Sequence, residues 1–289
     1  MNAKKVRCIP LLSGLILILS ISTLLVNYFI FKFPSNNYFP ENVIPLTAIL
    51  LLFYVGLILI FDKNSRISQS GLELFYLYLI MFLIALATNA VQLTPFPPID
   101  DKIVYLESLL HIDIPTILAW TNNNPRLSYL LKILYDTLAY QMCFLPLTII
   151  ALGKFHILKD YFFLLLFTTL IGFCFYYFFP TTAPASIIKS PFFSSCQIAT
   201  GIKFNQIHHH LNPTTMAGGL IALPSFHTIW ALLCVYLLKE WKVLCSLLLI
   251  VNTLLIASCV LLGWHYLTDV ISAVILVMIA YWFLLQCKS

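Results

Sequence analysis

Charge is what this sequence has least of: Asp, Glu, Lys and Arg make up 9% of its 289 residues, against 61% hydrophobic residues. So few charges cannot solvate the surface of a soluble domain, and the mean hydropathy of +0.95 excludes that class. The sequence also has no Cys-x-x-Cys pair, and of its eight cysteines only Cys196 falls clearly in a loop between apolar runs. A disulfide framework and the usual zinc patterns are thereby excluded. The sixteen Lys and Arg residues are scattered and form no stripe, which argues against a nucleic-acid partner. No internal repeat supports a duplicated transporter architecture.

What is there is apolar sequence in runs long enough to cross roughly 30 Å of hydrocarbon. Eight runs qualify: 9–31, 43–61, 72–93, 131–152, 161–179, 222–238, 243–262 and 266–285. The first follows Lys4, Lys5 and Arg7, but it is too long for a signal-peptide core and no small-x-small site follows it. It reads as an uncleaved span. With a cytoplasmic amino terminus and alternating spans, the inside segments hold Lys4, Lys5, Arg7, Lys63, Arg66, Lys154, Lys159, Lys239, Lys242 and Lys288, ten of the sixteen basic residues. The positive-inside rule therefore places both termini in the cytoplasm. The expected architecture is an all-α polytopic membrane protein of about eight transmembrane helices. Residues 1–93 supply amino-terminal spans, and 94–289 form a catalytic membrane domain built as a six-helix bundle.

Two outside loops, 94–130 and 180–221, are long for idle connections. In the first, apolar residues between Asp101 and Leu118 recur at helical spacing among acids, predicting a short amphipathic helix at the outer interface, broken near Pro115.

Polar residues at membrane depth or at span ends are costly and point to function. Asp136, Gln141, Ser225, His227, Ser258, His265 and Asp269 are such residues. In "GWHYLTDVISAV" His265 and Asp269 stand at i and i+4, on one face of a helix. The carboxylate can fix the tautomer of the ring and leave the other nitrogen as a nucleophile or base. His227, in "LPSFH", belongs to a span that starts on the same side as that of His265, so the two histidines are expected at one depth as nucleophile and general acid. Pro224 and Ser225 suit the start of a helix whose free N–H groups and positive dipole end bind an anion.

Pro224-Ser225-Phe226-His227, followed by Ser258-Cys259-x5-His265-x3-Asp269, resembles the type-2 phosphatidic acid phosphatase superfamily, whose second and third motifs read Pro-Ser-Gly-His and Ser-Arg-x5-His-x3-Asp. The likeness covers roughly residues 130–285, with "FFPTTAPAS" where a first motif is expected. The His-Tyr-x-x-Asp form and the Phe in place of Gly resemble the inositol-phosphorylceramide-synthase-like phosphotransferase branch. The resemblance implies that His265 attacks phosphorus, that Asp269 orients it and that His227 moves the proton. It also implies that Ser225 and nearby amides hold phosphate oxygens, and that neither metal nor cofactor is needed. The substrate it implies is a lipid phosphate within the bilayer, cleaved on the outer side, with water or an alcohol as acceptor.

The chain departs from the pattern in having no Lys-x6-Arg-Pro, and Cys259 stands at the position of the third-motif Arg. Three phosphate-neutralising cations are missing, and Lys189, Lys203 and Arg126 are the outside residues available to replace them. Phe226 is expected to shape the substrate site where glycine is usual. His208-His209-His210 lacks metal-ligand spacing and suits the entrance for a head group. Asp136 is either a helix–helix hydrogen-bond partner, the favoured reading, or a support of the active site. The rival from another class is a transporter or lipid flippase using Asp136 and the histidines as a proton relay. An acyltransferase with His-x4-Asp fails because the spacing here is three.

Overall fold

A computed structural model describes residues 3–39 and 41–287; Lys288, counted above as an inside charge, lies outside them. Among the described residues there are eleven α-helices and no strand. They are α1 (Ala3–Val26), α2 (Val43–Ile60), α3 (Arg66–Val91), α4 (Asp100–Leu109), α5 (Ile114–Asn122), α6 (Pro125–Ala151), α7 (Phe155–Phe178), α8 (Ser195–His208), α9 (Phe226–Leu237), α10 (Lys242–Leu261) and α11 (Leu267–Gln286). Seven long helices are apolar enough to cross a membrane: α1 with its π-helical end, α2, α3, α6, α7, α10 and α11.

The organising element is α7, which touches α1, α3, α6, α9 and α11 and buries Leu158, Tyr161, Leu165 and Tyr176 completely. Side chains buried all round mark a helix surrounded by other helices. By contrast α2 has no buried residue and packs on α3 at the periphery. Within the bundle, polar side chains supply the specific contacts that apolar surfaces in lipid cannot. Gln141 on α6 and Asn252 on α10 exchange amide hydrogen bonds of 2.8 and 2.9 Å, and Asn252 also donates to the Ala231 carbonyl of α9 at 2.7 Å.

The structure departs from the expected spans at two places. The run 222–238 forms only the 12-residue α9, which at 1.5 Å per residue covers about 18 Å. Pro224 and the Ser225 cap delay the helix start, and the buried turn Ala222–Ser225 fills the remaining depth. The amphipathic helix expected in the first loop is two helices, α4 and α5, bent by 75°. Pro115 lies in the first turn of α5, where a missing N–H is tolerated, and Asp113 caps that helix by accepting from Thr116 N–H at 2.9 Å. Counted as one unit, this pair joins α6, α7, α9, α10 and α11 to make six helical units around the site.

Candidate active site

The site begins with two helix starts brought together by the backbone. Ser225 N–H donates to the Asp269 carbonyl at 3.0 Å, so the beginnings of α9 and α11 lie at the same end of the bundle. Ser225 is the N-cap of α9 and its Oγ accepts from Thr228 N–H at 3.3 Å. The chain reaches α11 through Gly263, whose φ of +75° favours glycine; a Cβ there would stand 2.8 Å from Leu118 Cδ2. Beyond it Trp264 and His265 both donate their N–H groups to the Cys259 carbonyl at 2.9 Å. That tight turn holds His265 just before the first turn of α11.

His265 Nδ1 lies 3.2 Å from Asp269 Oδ2, which also accepts from Tyr266 N–H at 3.0 Å. The expected i, i+4 pair is present, and both residues are buried. Burial pushes His265 down to about 4, against a smaller upward pull from the Ala222 carbonyl, so the ring is neutral near pH 7. The His227 ring faces it with a centroid separation of 5.8 Å. A bond to the carboxylate through Nδ1 leaves Nε2 as the nitrogen for chemistry. Two histidines at this spacing can divide nucleophilic and proton-transfer roles about one reacting atom.

The acidic helix α4 braces this arrangement. Glu107 is buried and its Oε1 accepts from Thr268 N–H at 2.8 Å and from Thr268 Oγ1 at 3.0 Å, capping the first turn of α11. Asp100, also buried, accepts from Thr182 N–H and Oγ1 at 2.9 Å, tying α4 to the "FPTTAPAS" segment. Tyr266 is wholly buried among Ile103, Ile114, Leu118, Phe193 and Leu223. The first loop is therefore a structural cover for the histidine pair rather than a free interfacial helix.

Beside the pair opens a cleft of about 410 Å³ between α5, α6, α8 and the turn before α11. Tyr135 forms its inner wall, stacked on His227 at 4.5 Å and on Trp264 at 5.4 Å. Its polar lining comprises Thr121, Asn122, Ser128, Lys132, Asp136, Ser194, Cys196 and Gln197. Gln197 fixes α8 to this turn by donating to the Leu262 carbonyl at 2.7 Å, while it closes a capping box with Ser194.

Residues 101–283, well over half of the chain, match the PAP2 superfamily. The chain belongs to this superfamily. No curated protein and no solved structure matches it. Membership points to phosphatase or phosphotransferase chemistry on phosphoester substrates, and the matched segment contains both helix starts and the cleft.

Against that PAP2 background, several sequence assignments change. Phe226 does not line the cleft: it is 5% exposed and packs against Phe173 and Trp230, with its Cζ where a Cβ on Gly172 would meet it at 2.9 Å. The bulky ring fills the interface of α7 and α9 because glycine at 172 leaves room for it. Arg126 and Lys189 are exposed and neither lines the cleft; the basic residue that does is Lys132. Lys203 is fully buried, donating to the Gly218 and Gly219 carbonyls at 3.1 and 2.7 Å, and burial pushes it down to about 8. It anchors the Gly218–Gly219 segment that leads to Pro224 rather than facing the cleft.

The three consecutive histidines have three different neighbours: Tyr176 Oη for His208, the Asn205 carbonyl for His209 and a stacked Phe33 ring for His210. Among the described residues Asp136 makes no helix–helix hydrogen bond; Gln141 and Asn252 perform that role. The sequence reading passed over Lys132, Tyr135, Glu107, Thr268 and Asn252. Lys132, Tyr135 and Asp136 stand at i, i+3 and i+4, a one-face pattern that marks the cleft wall.

Proposed function

We propose that this PAP2 superfamily member is an integral membrane lipid phosphatase or phosphotransferase working through a phosphohistidine on His265. The observation that carries the reading is the buried His265–Asp269 pair opposite His227, at the edge of a polar cleft at one end of an apolar bundle. In the first step His265 Nε2 bonds to phosphorus, the ester P–O bond breaks, and His227, protonated under the negative charge of the bound phosphate, gives that proton to the departing oxygen. In the second, His227 takes a proton from water or an alcohol whose oxygen attacks phosphorus, and the P–N bond breaks. The free N–H groups at the start of α9, beside Ser225, are oriented to hold phosphate oxygens.

The cleft is assigned to the outer face. Support comes from the opposite end of the bundle, where Lys154, Lys159 and Lys239 pair with Glu240, Glu73 and Asp160, as expected for a basic cytoplasmic side. Gathering of Asp136 and the histidines at one end favours an enzyme over a proton relay spanning the bilayer. The His-Tyr-x-x-Asp motif supports an alcohol acceptor as in inositol-phosphorylceramide-synthase-like enzymes, alongside water. Purified protein assayed on a panel of lipid phosphates, with and without chelator, tests the reading. Activity that depends on His265 and survives chelation supports it; activity surviving His265→Ala, or abolished by chelator, overturns it.

A further inference from the structure

The two histidines of the site are held by different means. His265 has the Asp269 carboxylate on its Nδ1. The His227 ring, half-buried, makes no side-chain hydrogen bond among the described residues. What it has instead is the Tyr135 ring of α6, 4.5 Å away at an interplanar angle of 19°. Tyr135 is stacked in turn on Trp264, 5.4 Å away at 9°. The stack therefore begins on α9, passes through α6 and ends in the turn before α11, one residue from His265.

Both ends of this stack are fixed. Tyr135 packs against the cluster of Leu138, Ala231, Leu255 and Cys259, and Trp264 N–H donates to the Cys259 carbonyl at 2.9 Å. The Tyr135 hydroxyl makes no hydrogen bond among the described residues, so the contact belongs to the ring and not to its oxygen. A hydrogen bond would orient an imidazole by occupying one of its nitrogens. A face contact orients it and leaves both nitrogens, which lie on the ring edge, open for proton transfer. An aromatic face also attracts a cation, so the stack favours the protonated ring that a departing oxygen needs.

We propose that Tyr135 is the positioning residue of His227: its ring face, backed by Trp264, sets the plane of the imidazole and supports its charged form. This rests on the reading of His227 as the proton donor in the first step.

Single-turnover release of the alcohol isolates that step. An alkyl phosphate and a nitrophenyl phosphate carrying the same alkyl chain are compared in mixed micelles; the alkoxide needs a proton to leave and the nitrophenolate does not. The ratio of the two rate constants is read within one preparation of each protein, so loss of folded protein cancels. His227→Ala is expected to lower the alkyl-to-nitrophenyl ratio by about tenfold or more. Tyr135→Leu is expected to lower it by about threefold or more, and to add nothing in the His227→Ala background. Tyr135→Phe, which keeps the ring, is expected to restore the ratio. Trp264→Leu is read where leucine at 135 gives no folded protein, and a fall in the same direction is expected.

An unmoved ratio in His227→Ala removes the proton-donor reading and the proposal with it. Where that ratio falls, an unmoved ratio in the leucine variants overturns the proposal alone, as does a Tyr135→Phe ratio as low as that of Tyr135→Leu. A second arm needs no turnover. In detergent-solubilised protein the His227 Cε1–H proton is expected to show an upfield ring-current shift by nuclear magnetic resonance, kept in Tyr135→Phe and lost in Tyr135→Leu. A shift equal in wild type and Tyr135→Leu overturns the stacked geometry itself.

Discussion

The role proposed for His265 rests on where the ring is buried. With its pKa held at about 4, below the usual histidine range, the ring is neutral at pH 7 and its lone pair is available. As pH falls through that value the ring protonates and the nucleophile is lost. The acid limb of kcat/KM for the free enzyme is therefore expected near pH 4; a limb at the ordinary value near 6.5 contradicts the assignment. Replacing Asp269 by Asn removes the carboxylate that fixes the tautomer, and a fall in kcat of roughly 10²-fold or more is expected in steady-state assays. At this scale the sequence was informative about chemistry and poor about direction. The pairing of His265 and Asp269 was legible from their spacing, although the contact is made from the turn before α11, with Tyr266 as the cap, rather than along a helix face. Whether Phe226 faces substrate or core was not, because the answer depends on the empty Cβ position of Gly172, a residue 54 positions away.

At the scale of elements, the helix α4, with its buried Asp100 and Glu107, is the least anticipated part of the site. Hydrogen bonds to a charged carboxylate contribute roughly 1.5–3 kcal/mol, and Glu107 makes two of them to Thr268 at the head of α11. Glu107→Ala is expected to lower kcat by about tenfold or more, with KM little changed. Glu107→Gln, whose amide oxygen accepts the same bonds, is expected to restore much of the loss; an alanine variant with wild-type kcat would show that α4 only covers the site. The loop read as amphipathic from its apolar spacing does carry helices, but the pattern could not reveal that two of its acids, Asp100 and Glu107, point inward to Thr182 and Thr268.

The helix of the second long loop, α8, carries a pH-dependent contact. Burial first, then the charges of His210 and His209, push His208 down to about 4. Its neutral form is favoured in the fold, so its contribution to stability is complete above the unfolded value near 6.5 and is lost as pH falls through 4. Thermal unfolding in detergent is expected to show this loss between those values, with a shallower slope for His208→Gln. An unchanged slope counts against a buried His208.

The whole molecule places two helix starts, two loop covers and a polar cleft at one end, and the paired lysines at the other. Hydropathy made seven of the spans legible because long apolar runs leave no other solution in lipid. It overestimated α9, whose proline–serine entry turns apolar sequence into a buried turn. Orientation rests on charge distribution and is open to direct measurement. Exposed Cys196 beside the cleft and Cys245 at the opposite end provide single-cysteine reporters. A membrane-impermeant thiol reagent added outside intact cells is expected to label a protein retaining Cys196 alone and to spare one retaining Cys245 alone. The reverse pattern would invert the topology.

The central claim is that phosphorus passes through His265. Its most direct measurement is a rapid acid-free quench of purified protein mixed with a lipid carrying labelled phosphate, followed by mapping of the label. The account predicts label on His265, stable to alkali and released by acid, and absent from the His265→Ala protein. Turnover with label on another residue, or direct transfer to water without any labelled protein under single-turnover conditions, would contradict it.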